Sequence, residues 1–262
     1  AAAEAAARAG GAVVAGHFGR LASGRAGGPG TSVAAKAPGD YVSEVDLESE
    51  ATIKESLARA APEVAFFGEE GGGDRSAGLG WVVDPLDGTA NFLHGFPVVG
   101  VSVALVEAGR PVAGVVHAPL LGETYTAAAG EGAWRDGRRL AVSERPVERA
   151  ICATGFPFKI KHRLARYRRV FDGAFLAGED LRRPGAASLD LAWTAAGVFD
   201  GFFELGLGPW DVAAGALLIQ EAGGVVTDWA GDPDAWFATG DILAGPPGVH
   251  RMLLDLAAVP PA

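Results

Sequence analysis

Cysteine is almost absent from this chain. Cys152 is the only one in 262 residues, which excludes an internal disulfide and any zinc site built on thiolates. Its surroundings, Ala150-Ile151 before and Ala153-Thr154 after, read as a buried strand in which the thiol packs as a small apolar group. Long hydrophobic runs are missing too. Although 49% of the residues are hydrophobic, no stretch reaches the roughly 18 needed to span a bilayer. The Ala-rich start carries Glu4 and Arg8 and no cleavage-like pattern, so the expectation is a helix there and a soluble, cytoplasmic protein with no membrane partner. Basic charge is in short supply. A net charge of −10 lacks the excess that neutralises phosphates in a nucleic-acid complex, and the expectation drawn from it is that no nucleic acid is bound. It leaves room for a small phosphorylated substrate, because a bound cation reverses the local field. Catalytic signatures of other classes are absent: no P-loop, no Gly-x-Ser-x-Gly elbow, no His-Glu-x-x-His pair. His94 and His117 are isolated, and His17 falls on the first helix as a structural residue.

What the chain does have is acids at the ends of apolar runs. Trp81-Val-Val reads as a buried strand, and Asp84 places a carboxylate where it stops. Pro85 then forces a turn, and Asp87 follows with the Leu86 carbonyl between the two acids. Three oxygens within four residues suit a hard divalent cation such as Mg²⁺. Gly88 and Thr89 come next, offering backbone N–H groups to an anion. Asp, Pro and Gly are also ordinary turn residues, so this segment alone leaves a plain connection open. Ala65-Phe-Phe-Gly-Glu69-Glu70 is a second apolar strand ending in acids. If it lies beside the first, Glu69 and Asp84 share one sheet edge, an arrangement that repels unless a cation or proton neutralises it. Glu204 ends a third strand, and Asp211 follows a Gly/Pro turn as the expected cap of a helix.

In chain order, residues 1–22 read as a helix and 23–38 as a Gly-rich mobile flap carrying Arg25 and Lys36. Asp40–Asp46 leads into an amphipathic helix to about Ala60, with Asp46 as its N-cap and Leu47, Ile53 and Leu57 facing inward. Residues 98–142 have the strand-and-turn rhythm of an antiparallel meander, and the remainder alternates strands and helices. The basic run from Lys159 to Arg169 reads as a solvated helix face.

Gly68-Glu-Glu, Asp84-Pro-Leu-Asp-Gly-Thr-Ala-Asn-Phe92 and Trp210-Asp-Val-Ala-Ala-Gly215 resemble the three signatures of inositol monophosphatases, in the lithium-sensitive, Mg²⁺-dependent phosphatase superfamily. Gly39–Asp46 and Phe96-Pro97 match that pattern as well, so the resemblance covers about residues 34–245. It implies an α/β fold, a layered αβαβα sandwich, as one phosphatase domain in two packed halves, 1–145 and 146–262, paired as a homodimer. It implies two or three Mg²⁺ ions held by Glu69, Asp84, the Leu86 carbonyl, Asp87 and Asp211. Gly88 and Thr89 would hold phosphate, and Thr89, oriented by Asp46, would help Glu69 activate water. Asp87, Glu204, Gly185 and Ala187 would line the substrate pocket, with Lys36 on the flap. The implied substrate is a small phosphorylated polyol, foremost inositol 1-phosphate. Fructose 1,6-bisphosphate, histidinol phosphate and 3′-phosphoadenosine 5′-phosphate are the alternatives on the same fold. A regulatory binding protein that keeps the fold without activity is the non-enzyme alternative. At Ala186 many relatives carry Ser or Thr, so a pocket hydroxyl is missing here.

Overall fold

The computed structural model describes residues 1–20, 33–37, 40–73 and 78–258; the side chains of 19, 20 and 33–42 lie outside the description. The chain begins with α1 (Ala2–Arg20), then a hairpin of β1 (Val33–Ala37) and β2 (Asp40–Ser43), then α2 (Glu44–Ala60). β3 (Ala65–Gly68), β4 (Gly72–Gly73), β5 (Leu79–Asp87), the short α3 (Thr89–Leu93), β6 (Gly100–Glu107), β7 (Arg110–Ala118), β8 (Glu123–Ala128), β9 (Gly132–Arg135) and β10 (Arg138–Arg139) follow. The second part runs β11 (Ile151–Thr154), α4 (Leu164–Ala177), β12 (Asp180–Arg182), α5 (Ala187–Ala195), β13 (Gly201–Glu204), α6 (Pro209–Glu221), β14 (Val225–Thr227), α7 (Trp236–Thr239), β15 (Ile242–Gly245) and α8 (Pro247–Ala258).

Among the described residues, one sheet orders its strands β10-β9-β8-β7-β6-β5-β3-β4 and another β12-β11-β13-β15-β14. The first is the expected antiparallel meander except where β3 runs parallel to β5. Period-two alternation then builds the layers. On β5, Val82 faces the inner core and Val83 the outer one; on β13, Phe202 and Phe203 divide in the same way. Ala6, Ala7 and Val14 of α1, with Ile53 and Leu57 of α2, cover the outer face of the first sheet. Leu189 and Leu191 of α5, with Val212 and Leu218 of α6, fill the space between the sheets. Val170 and Ala174 of α4, with Leu253 and Ala257 of α8, close the far face of the second. The result is the layered αβαβα sandwich. No helix among the described residues is long and apolar enough to cross a membrane.

Several local expectations change. Residues 33–37 of the expected flap form a strand, while 23–32 and 38 lie outside the described residues. Ser43, not Asp46, is the N-cap of α2; Asp46 is the third helical residue and accepts the Ser43 N–H at 2.8 Å, completing a capping box. Leu47 is 55% exposed, because the inward face of α2 runs through Asp46, Ser49, Glu50, Ile53 and Leu57. Asp211 is likewise the third residue of its helix, behind Gly208 at the cap, whose N–H it accepts at 2.6 Å. The basic run divides into a 3₁₀ turn over Phe158–Arg163 and α4. Its Arg163 and Arg166 reach the buried Asp241, and the Arg166 guanidinium lies 5.4 Å from the Trp229 ring. Those two are therefore docked, while Lys161, His162 and Arg168 are exposed as expected.

Candidate metal and phosphate site

Parallel pairing of β3 with β5 puts Gly68 opposite Val83, so Glu69 and Asp84 leave adjacent strands at the same edge. The β5–β6 register then shifts between Asp84 and Asp87, which bulges Pro85 and Leu86 out of the ladder before pairing resumes at Gly100. Ser49 of α2 holds the bulge by donating to the Pro85 carbonyl at 2.9 Å. Gly88 follows at φ 88°, and a Cβ there would stand 2.9 Å from the Val98 carbonyl, so the turn needs a residue without one. Thr89 donates from Oγ1 to Asp46 Oδ1 at 2.9 Å or to the Leu86 carbonyl at 3.1 Å.

Asp211 arrives on the first turn of α6, from between the sheets. One carboxylate oxygen from each of Asp84, Asp87 and Asp211 lies within 4.8 Å of the others. The donor set is all oxygen, which fits a hard divalent cation. Its electrostatics agree. Burial, then the charges of Glu69, Asp87 and Asp211, hold the Asp84 carboxyl well above the usual carboxylate range. Burial and Asp211 push Asp87 up to about 7, against the opposing effect of Ser188, whose N–H and Oγ both donate to Asp87 Oδ2 at 2.7 and 2.5 Å. Burial raises Asp46 as well. Acids packed at this cost are stabilised by a cation among them.

One cleft gathers Glu69, Asp84, Leu86, Asp87, Gly88 and Thr89 with Gly185, Ala187, Glu204 and Asp211. Asp46 reaches it through Thr89. Lys36 stands on β1, and its side chain lies outside the described residues. Burial, followed by the charge of Asp211, pushes Glu204 up to about 8. A Cβ on Gly155 would fall 2.1 Å from Glu204 Oε1, so that glycine makes room for the acid. Sequence reasoning missed several supports. Glu50 accepts the Glu70 and Gly71 N–H groups at 2.9 and 2.7 Å and so fixes the turn that presents Glu69. Asn91 ties the metal turn to the second part of the chain by donating to the Val98 and Pro184 carbonyls at 2.8 and 2.9 Å. Ser188, Lys159, Arg183 and Asp190 were also missed as members of the site. No local spacing announces them, because the fold alone brings them to the turn.

The model of the inositol monophosphatase family matches residues 1–258. The Nus factor SuhB of Pseudomonas aeruginosa is 46% identical over 230 residues, covering 85% of this chain and 84% of that protein. The crystal structure of extragenic suppressor protein suhB from Bartonella henselae superposes with a TM-score of 0.90 at 37% identity, covering 98% of this chain and 97% of that one. The Thermotoga maritima IMPase superposes with a TM-score of 0.84 at 31% identity, covering 96% and 93%. The relative from Pseudomonas and one from Escherichia coli, at 43% identity, are named Nus factor SuhB, and one from Neisseria meningitidis, at 44%, is named putative Nus factor SuhB. That overturns the expectation of no nucleic-acid partner. Net charge is a sum over the whole chain and says nothing about one patch, or about nucleic acid reached through another protein.

Proposed function

The chain belongs to the inositol monophosphatase family, and on that premise we propose that it hydrolyses small phosphate monoesters with Mg²⁺, inositol 1-phosphate foremost. The observation that carries this reading is the trio of Asp84, Asp87 and Asp211 beside the Gly88-Thr89 turn. In the proposal these three acids, with Glu69 and the Leu86 carbonyl, hold two or three Mg²⁺ ions. Bound there, Mg²⁺ lowers the pKa of water and stabilises the departing alkoxide. The remaining work falls to the chain itself. The backbone N–H groups of Gly88 and Thr89 orient the phosphate. Thr89 Oγ1 donates its one hydrogen bond to Asp46, which leaves it free to accept a hydrogen bond from the attacking water and orient it, while Glu69 takes the proton that the water gives up. Glu204 accepts from a substrate hydroxyl, and Gly185 and Ala187 shape the wall beside it. No covalent nucleophile is required. Lithium sensitivity and pairing as a homodimer belong to the same proposal.

A second reading is favoured by the relatives' names: a Nus-factor role, alongside catalysis or without it. Phosphate release by the purified protein separates the two. Hydrolysis of inositol 1-phosphate that stops when Mg²⁺ is chelated supports the first reading. No release from any of inositol 1-phosphate, fructose 1,6-bisphosphate, histidinol phosphate or 3′-phosphoadenosine 5′-phosphate leaves the Nus-factor reading alone.

A further inference from the structure

We propose that Asp190 is a specificity-determining residue of this cleft, accepting a hydrogen bond from a hydroxyl on the leaving group of a polyhydroxylated phosphate ester. The inference rests on the phosphatase reading above and narrows its substrate class.

Asp190 stands on α5, is 1% exposed, and lines the cleft together with Glu204, Arg183 and Lys159. Its Oδ1 is buried and has no hydrogen-bond partner among the described residues. Other buried acids in the fold are provided for. Asp200 accepts from Arg145 Nε at 2.8 Å and from the Ile151 N–H at 2.7 Å. Asp241 takes two arginines and the Gly206 N–H. A carboxylate kept in the interior for stability alone is supplied with donors in this way; one left without a donor in a cleft is matched to a donor that arrives from outside. Trp81 Nε1 and Arg169 Nε are also buried without partners, but neither residue lines the cleft. Asp190 is also outside the trio that gathers for a cation.

The chemistry of the missing donor follows from the neighbours. Asp190 and Glu204 line the cleft together, and Asp190 feels the charge of Glu204, so an anionic substituent beside them is repelled. A cationic one is opposed by Arg183, which offsets the charge of both acids. The Arg183 guanidinium is held in place over the rings of Phe156 and Phe158, at 5.5 and 5.8 Å. A neutral donor with several hydroxyls satisfies the acids without disturbing the arginine. A polyol fits that balance of two acids with Arg183 and Lys159.

The test compares kcat/KM for inositol 1-phosphate with that for p-nitrophenyl phosphate, whose leaving group carries no hydroxyl, in the Mg²⁺-loaded enzyme. In Asp190→Leu the ratio is expected to fall about tenfold or more, chiefly through KM for the inositol ester. Asp190→Asn keeps an acceptor oxygen and is expected to recover most of the ratio. An unchanged ratio in Asp190→Leu, or a parallel loss on both esters, overturns the inference while hydrolysis itself upholds the phosphatase reading. Should Asp190→Leu fail to fold, monodeoxy analogues of inositol 1-phosphate on the unaltered protein give the answer. At least two are expected to lose about tenfold in kcat/KM, one through Glu204 and one through Asp190, and a loss confined to a single analogue, or equal turnover of all of them, overturns the inference. No hydrolysis of any ester by the unaltered protein overturns both.

Discussion

Asp87 carries two duties on one carboxylate. Its Oδ2 is committed to the N–H and hydroxyl of Ser188, so Oδ1 is the oxygen left to face Asp84 and Asp211. Asp87→Asn keeps the hydrogen-bonding oxygen and removes the charge. Turnover is expected to fall at least about a hundredfold, the loss of several kcal/mol of metal-dependent stabilisation, with unchanged circular dichroism. Near-normal activity would remove the metal assignment. Thr89 gives a finer test. Thr89→Ala deletes the hydroxyl between Asp46 and the reaction and is expected to lower kcat about a hundredfold, whereas Thr89→Ser retains it and most of the rate. At this scale the legible residues were those whose chemistry is local: Asp84, Asp87 and Thr89 lie within one turn. Ser188 is 101 positions from the acid it serves, and Glu50 is 20 from the N–H it holds, so neither leaves a trace in spacing.

Elements position the site by small, identifiable devices. Gly88 is one, since its positive φ and the nearby Val98 carbonyl both exclude a side chain. Gly88→Ala is expected to destabilise the protein by about 1–2 kcal/mol in denaturant unfolding and to weaken Mg²⁺ binding measured by calorimetry. The capping box of α2 is another. Ser43 Oγ donates to Asp46 Oδ2 at 2.5 Å, leaving Oδ1 for Thr89, so the helix start and the Thr89 hydroxyl share one carboxylate. The sequence announced that helix and the inward Ile53 and Leu57, but misplaced Leu47. Counting apolar residues points to Leu47, whereas the buried stripe is partly polar because it packs on the metal turn: Asp46 meets Thr89, and Ser49 meets Pro85. The basic run misleads for a related reason. Asp241, the partner that docks Arg163, is 78 residues further on. Strands with strong alternation, such as β6 to β8, were read correctly because their partners are their neighbours in sequence.

Over the whole molecule, the acids set how stability responds to pH. Asp87 at about 7 and Glu204 at about 8 bind their protons more tightly in the folded state than in the unfolded chain. Their contribution is therefore favourable while they are protonated and is lost as pH rises from about 4 through 7 and 8. The metal-free protein is expected to lose thermal stability between pH 5 and 8, and added Mg²⁺ to restore more of it at pH 8 than at pH 5. A metal-free midpoint that rises across that range contradicts the electrostatic account. Net charge, the other whole-molecule quantity, was the least informative, since −10 pointed away from nucleic acid while relatives of this chain are named as Nus factors. The proposed role of the buried acids is to hold Mg²⁺ for phosphate ester hydrolysis. It is tested most directly by phosphate release from inositol 1-phosphate with Mg²⁺ present and then chelated. Steady release is expected, stopping on chelation and returning when Mg²⁺ is restored. Release that continues undiminished under chelation, or none from any ester at saturating Mg²⁺, would contradict it.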